Sequence, residues 1–343
     1  MTEVEGIRHE QVTSWFRDHV PGVEPPLSFE LIAGGHSNLT YRVVDAAGGT
    51  WVLRRPPLGQ VLATAHDMGR EHRIIAALGP TPVPVPPAIG YCDDEAVNGA
   101  PFYAMGFVDG HIVRDAATAT TALGVEERRA AGESLVDVLA AIHAVVPDDV
   151  GLGDLGRREG YIERQLKRWH TQWEQSKTRE LPVVDEVHAY LSARVPEQGA
   201  ATIVHGDYRL DNCIVGDDGR VRAVLDWELC TLGDPLADLG LLQVYWTDAT
   251  DDHPALLTAA TAVDGFPTRK QLIDRYAEQS GRDVSNLDFY VAFGYWKLAC
   301  IVEGVYARYA GGSMGRSGGG FEAFGQQVER LAAQAAAAVG QSR

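Results

Sequence analysis

Three oxygen-bearing side chains stand at spacings suited to chemistry on an anionic substrate. In Ile203-Val204-His205-Gly206-Asp207-Tyr208-Arg209-Leu210-Asp211-Asn212-Cys213-Ile214-Val215, polar residues lie between apolar pairs, and Asp226 follows Asn212 by 14 residues at the end of the run Val221 to Leu225. The pattern reads as a strand, a tight loop and a second strand, with two carboxylates and an amide at one edge of a small hairpin. Phosphoryl transfer needs such a set. Divalent cations bridge the nucleotide phosphates, hard oxygen ligands hold the cations, and a carboxylate orients the attacking hydroxyl and takes its proton. Asp207 suits the base, and Asn212 and Asp226 suit the metal. Turn chemistry is the competing account of each residue alone, because Asp and Asn in loops commonly satisfy nearby backbone groups.

The elements that must hold these residues fall into two kinds. Residues 8–19 form a short helix, followed by strands over about 27–33, 38–45 and 50–55, broken by glycine-bearing turns. Residues 62–78 carry apolar positions at helical spacing and end at Gly79-Pro80. The proline-rich segment from Pro80 to Pro87 must be extended. Strands fit at 88–92 and 101–107. Beyond about 125 the pattern is mainly helical, over 125–146, 158–176, 183–194, 269–281, 286–310 and 321–339. Apolar runs at 201–204 and 221–225 form a β-island around the polar loop. Asp234 and Asp238 can cap the helix that Leu236 begins. The glycine-rich run 311–320 reads as a mobile connector. The predicted architecture is a small β-lobe with one helix, a hinge near 105–110, and a larger helical lobe.

The step of five from Asp207 to Asn212, with a later Asp226, equals the spacing of the protein-kinase catalytic loop and its metal-binding aspartate. The chain resembles the aminoglycoside phosphotransferase branch of the kinase-like superfamily, in which glycine replaces the arginine of the kinase triplet, as in His205-Gly206-Asp207. It is similar in particular to the kinase-like domain fused to some acyl-CoA dehydrogenases. His205-Gly206-Asp207-Tyr208-Arg209-Leu210-Asp211-Asn212, Val224-Leu225-Asp226-Trp227-Glu228 and Gly233-Asp234-Pro235-Leu236-Ala237-Asp238-Leu239 carry the resemblance, which covers about residues 28–310.

That resemblance implies an α+β, bilobal, protein-kinase-like fold: a nucleotide-binding lobe over residues 1–108 and a catalytic and substrate-binding lobe over 109–343. It implies Asp207 as base, Asn212 and Asp226 as Mg2+ ligands, and ATP as donor, with GTP as the alternative. Arg209 takes the place of a cation near the γ-phosphate, or else pairs with Asp211 or Asp234. Trp227-Glu228 replaces Phe-Gly, so no kinase-type activation switch is expected. In the β-lobe, Gly34-Gly35-His36-Ser37-Asn38 occupies the phosphate-covering turn, with Ser37 and Asn38 as nucleotide contacts, although a plain hairpin turn has the same look. Arg54 stands where kinases carry lysine, and no lysine occurs before Lys167. Glu71 is the helix partner of that cation, or else an exposed charge. Met105, Gly106 and Val108 match the adenine-binding hinge. Tyr208, Glu228, Tyr245, Trp246, Tyr295 and Trp296 are candidates for the acceptor pocket, or for core.

Composition bounds the rest. Thirty Lys and Arg against 47 Asp and Glu give a net charge of −17, which argues against nucleic-acid binding. No apolar run reaches the roughly 18 residues of a membrane span, and the acidic N-terminus does not read as a signal peptide. Cys92, Cys213, Cys230 and Cys300 show no metal spacing and read as reduced thiols, so a cytoplasmic location is expected. The partner is then a small hydroxylated molecule, with oligomeric state open. The leading reading is a small-molecule kinase acting on a metabolite or an aminoglycoside-like compound. A nucleotide-binding pseudokinase acting as a partner module is the alternative, supported by Arg54. A protein kinase is disfavoured by Gly206 and by the lack of an Ala-Pro-Glu segment after Asp226.

Overall fold

The computed structural model describes residues 4–33, 38–58, 67–251, 256, 259–311 and 322–341. Ser37, the glycines before it, residues 62–66 of the expected second helix and nearly all of the glycine-rich run lie outside them. The chain divides into two compact units, 1–110 with 222–228, and 111–221 with 229–343. One unit carries a five-stranded antiparallel sheet and the other is mainly helical, an α+β organisation.

The first unit contains α1 (His9–His19), β1 (Ser28–Ala33), β2 (Leu39–Val44), β3 (Thr50–Arg55), α2 (Met68–Leu78), β4 (Ala88–Cys92), α3 (Glu95–Asn98) and β5 (Phe102–Gly106). Its antiparallel sheet runs β1-β2-β3-β5-β4. Strand alternation buries Leu39, Tyr41 and Val43 of β2. They form a core with Leu53, Phe102 and the apolar face of α1, which carries Val12, Trp15 and Phe16. Asp67 caps α2 by accepting from the Arg70 amide, and the helix buries Ile74, Ile75, Leu78 and also Glu71. A buried carboxylate on an otherwise apolar face requires a partner. The segment Arg222–Glu228 is tied to this unit through the Val224 amide, which donates to the Pro84 carbonyl at 2.9 Å.

The second unit contains α4 (Ala116–Ala122), α5 (Val125–Ala144), α6 (Tyr161–Ser176), α7 (Pro182–Ser192), β6 (Thr202–Val204), β7 (Cys213–Val215), β9 (Thr231–Gly233), α8 (Pro235–Tyr245), α9 (Arg269–Ser280), α10 (Leu287–Ala310) and α11 (Glu322–Gln341). The remaining strand, β8 (Val221–Val224), spans the division. Helices α8 and α10 are buried along most of their lengths, as a helix apolar on all sides must be. They cross closely because Gly240 has no side chain: a Cβ there would lie 2.6 Å from the Tyr290 backbone.

Two expectations need correction. The partner of β6 is β9, with Ile203 opposite Leu232, so β6 does not form the expected hairpin with the strand after the loop; that strand, β7, pairs with β8. Asp234 caps α8 through the Leu236 amide at 3.1 Å, but Asp238 is a fully helical, buried residue bonded elsewhere.

Candidate active site

In the second unit the loop after β6 turns at Gly206, whose φ of 86° suits glycine. A Cβ there would lie 2.9 Å from the Leu229 carbonyl oxygen, which excludes the arginine common to protein kinases on space as well as on conformation. Asp238 holds this turn: its Oδ2 accepts from the His205 amide at 2.6 Å and its Oδ1 from the Gly206 amide at 2.9 Å. Burial opposes its ionisation, but His143 and His205, with the Gly206 amide, outweigh burial and keep its pKa below the usual carboxylate range. From the other side Lys297, 5% exposed, donates to the Gly206 carbonyl at 3.0 Å. Burial holds this ammonium below the ordinary lysine range against the pull of Asp207 and Asp238. The peptide before Asp207 is therefore gripped at its amides and at its carbonyl. His205 is buried, and its Nδ1 accepts from the Asp207 amide at 3.3 Å.

Asp207 is fixed in turn. The Tyr245 hydroxyl donates to Oδ1 at 2.8 Å. Asn212 Nδ2 donates to Oδ2 at 3.0 Å and to the Asp207 carbonyl at 2.8 Å. Burial, and then the facing Asp207 carboxylate, raise the Tyr245 phenol well above its ordinary range, so it remains a donor. Arg209 Nε lies 2.9 Å from Asp211 Oδ1 and 3.5 Å from Asp207 Oδ2, with its guanidinium 4.9 Å from the centre of the Tyr245 ring. Of the two carboxylates weighed for Arg209, Asp211 is the one it meets. Asp234 instead accepts from the Tyr290 hydroxyl at 2.6 Å.

In the first unit Arg54 joins two carboxylates. Its Nη2 donates to Asp226 Oδ1 at 2.5 Å, and its Nε forms an ion pair with Glu71 Oε2 at 3.2 Å without hydrogen-bond alignment. Burial disfavours the Arg54 charge, but Tyr103, Glu71 and Asp226 more than offset this and raise its pKa. Burial shifts Glu71 the other way, above the usual carboxylate range, against Arg54. Tyr103 donates to Glu71 Oε2 at 3.0 Å, and Asn38 Nδ2 to Oε1 at 2.9 Å. Glu71 is thus fully engaged rather than an exposed charge. Asp226 has φ of 63°, the one positive value outside glycine among the described residues. A strained backbone at a polar residue is a mark of functional sites. Trp227, buried, anchors the turn by donating from Nε1 to the Val224 carbonyl at 3.1 Å.

The remaining sequence candidates are placed as follows. Met105 is buried on β5. The Gly106 amide already donates to the Pro87 carbonyl at 2.8 Å, so any purine contact at Gly106 falls to its carbonyl. Val108 is half-buried just beyond the strand. Of the two alternatives for Tyr208, Trp246 and Trp296, core holds: each is buried, and their polar atoms donate to the carbonyls of Leu135, Pro267 and Val184. Asp238 as an amide acceptor, Tyr245 as a donor to Asp207, and Lys297 were not foreseen. One signal pointed to Lys297: it is the single cation in the apolar stretch Val291 to Val302 of a chain with four lysines.

The oxygen donors left over are informative. Asn212 Oδ1 and Asp226 Oδ2 have no partner among the described residues. Each is a hard oxygen of the kind Mg2+ takes and soft metals do not. The four cysteines are buried and form no disulfide among the described residues. Among the described residues, no helix is long and apolar enough to cross a membrane.

The fold is that of the kinase-like phosphotransferases. The chain belongs to the phosphotransferase enzyme family, which it matches over residues 28–272. It is 34% identical to acyl-CoA dehydrogenase family member 10 of Mus musculus over 287 residues, 82% of this chain. The chain spans 27% to 39% of the length of such curated relatives. Among solved structures, a protein assigned as an aminoglycoside phosphotransferase from Ralstonia eutropha JMP134 superposes with a TM-score of 0.82 at 33% identity, covering 97% of this chain and 98% of that one. The macrolide 2'-phosphotransferase MphH of Brachybacterium faecium shares the fold, with a TM-score of 0.59 at 21% identity and coverage of 96% and 97%.

Proposed function

We propose that the protein transfers the γ-phosphate of ATP, with GTP as the alternative donor, to a hydroxyl of a small metabolite. The observation that carries this is Asp207, a carboxylate aimed by the neutral donors Tyr245 at Oδ1 and Asn212 at Oδ2, with Arg209 3.5 Å from Oδ2. Each carboxylate oxygen has a second lone pair, so Asp207 retains room to accept the proton of an incoming alcohol. Asn212 and Asp226 would hold Mg2+, which supplies charge neutralisation on the nucleotide phosphates. Arg54, held by Glu71, would grip phosphate together with Ser37 and Asn38. Met105, Gly106 and Val108 would receive the adenine. Arg209 would offset charge on the transferred group. In this reading residues 1–108 bind nucleotide and residues 109–343 bind the acceptor, in the cytoplasm.

The match to part of an acyl-CoA dehydrogenase family member favours a metabolite acceptor such as a hydroxyacyl thioester over an aminoglycoside. A panel of hydroxylated metabolites, acyl-CoA derivatives and aminoglycosides, assayed for acceptor-stimulated ADP release, tests this. Stimulation by a hydroxyacyl compound is expected. Stimulation by aminoglycosides alone would overturn the choice of acceptor.

One feature favours a binding-only reading: Asp226 spends one oxygen on Arg54 at 2.5 Å. Tight ATP binding with no turnover on any hydroxyl compound would establish that alternative.

A further inference from the structure

Arg54 and Arg55 are consecutive on β3, so their side chains leave opposite faces of the strand. Arg54 meets Glu71 and Asp226, but Arg55 has no carboxylate partner among the described residues. It is nonetheless 6% exposed. Its guanidinium is met by backbone carbonyls alone: Nη1 donates to Gly6 at 2.5 Å and Asn98 at 3.2 Å, and Nε to Pro56 at 3.2 Å. Nη2 has no partner within the described chain. A buried cation without a counter-ion is costly, and an acidic protein of net charge −17 has many carboxylates that could have supplied one.

Arg55 lines an open cavity of about 540 Å3 together with Glu5, Gly6, Arg8, Asn98 and Gly99. Arg8 is a second guanidinium without a carboxylate partner, bonded through Nη1 to the Glu95 and Ala96 carbonyls. Asn98 is 2% exposed; its Oδ1 accepts from the Arg8 amide, and its Nδ2 has no partner among the described residues. The two cations raise each other's energy: burial, and then Arg8, hold Arg55 below the ordinary guanidinium range against Tyr41. Two glycines with positive φ keep the backbone close to them. A Cβ on Gly6 would lie 3.5 Å from Arg55 Nη1, and one on Gly99 would lie 3.3 Å from Arg8 Nη2.

We propose that this cavity on the reverse of β3 is a binding site for a small oxyanion, a phosphate monoester or a carboxylate, held between Arg8 and Arg55. Guanidinium groups bind both classes through paired N–H donors, and the volume admits a small organic anion. Glu5 is the one acid among the described lining residues and sets a limit on affinity. The site is separate from the Arg54 pair, and its occupancy would brace the strand that carries Arg54.

Thermal unfolding of the full chain, titrated with inorganic phosphate in one arm and acetate in the other against chloride at matched ionic strength, tests the proposal. A saturable rise of about 2–5 °C with at least one oxyanion is expected. The arm that responds identifies phosphate or carboxylate as the class. Arg55 variants risk the fold, since three carbonyls depend on that side chain, so the diagnostic variants are Arg8→Gln and Glu5→Gln. Arg8→Gln should weaken the response about 10-fold, and Glu5→Gln should tighten it by about 2–5-fold. A chain that responds to neither anion beyond chloride, or whose response is unchanged in both variants, shows instead that Arg8 and Arg55 only brace the carbonyls around α3.

Discussion

Arg54 does two jobs that a lysine would do differently. Its planar fork reaches Asp226 through Nη2 while Nε faces Glu71, whereas an ammonium presents one point of charge. Arg54→Met leaves both carboxylates without their cation, and breaking such a buried pair costs about 3–5 kcal/mol. The nucleotide Michaelis constant should rise at least about 10-fold, a loss of roughly 1.4 kcal/mol or more in binding. A constant equal to that of the wild type would remove Arg54 from the nucleotide site. Tyr245→Phe keeps the ring beneath Arg209 and deletes only the bond to Asp207 Oδ1. Loss of aim at a base is expected to lower kcat about 10-fold and leave the nucleotide Michaelis constant within about twofold. An effect confined to the acceptor's Michaelis constant would make Tyr245 a pocket wall instead.

At the scale of elements, the loop that carries Asp207 is held from α8 and α10 more than by its own sequence. Lys297 on α10 offers a test through pH. Burial lowers its pKa in the folded chain, so the unfolded chain binds the additional proton in the interval up to about 10.4. Where the unfolded state holds more protons, stability rises with pH. Relative to Lys297→Met, the wild type should therefore gain stability as pH is raised from neutrality toward 10, and lose it as pH falls. Chemical denaturation of both proteins across that range measures the difference, and a wild-type stability that falls relative to the variant's as pH rises would contradict it. The sequence revealed elements with a clear period or punctuation. These include β2 with its alternation, α5, α6 and α9, and Asp207, Asn212 and Asp226 through their spacing. It concealed those lacking local contrast. Ala-Ala-Thr-Ala-Thr-Thr-Ala of α4 has no apolar stripe, and α8 is apolar on all sides, so only its Asp234 cap was visible. The pairing of β6 with β9, and the grips of Asp238, Lys297 and Tyr245 on the loop, are long-range contacts with no local signature.

At the scale of the molecule, the chain is a phosphotransferase by family and a kinase-like α+β protein by fold. Fold alone does not name a substrate, since one architecture serves many acceptors. The negative charge is compatible with a cationic acceptor but is met equally by solubility, so it carries no weight in choosing one. The account rests instead on Asp207 as the group that receives the acceptor's proton. Asp207→Asn preserves the shape of the side chain and removes its basicity. The most direct measurement follows labelled γ-phosphate from ATP to the acceptor in single turnover, alongside ATP affinity. The variant should transfer label at least about 10³-fold more slowly, while ATP binds within about threefold of the wild type. Transfer by the variant at the wild-type rate would contradict the mechanism at its centre.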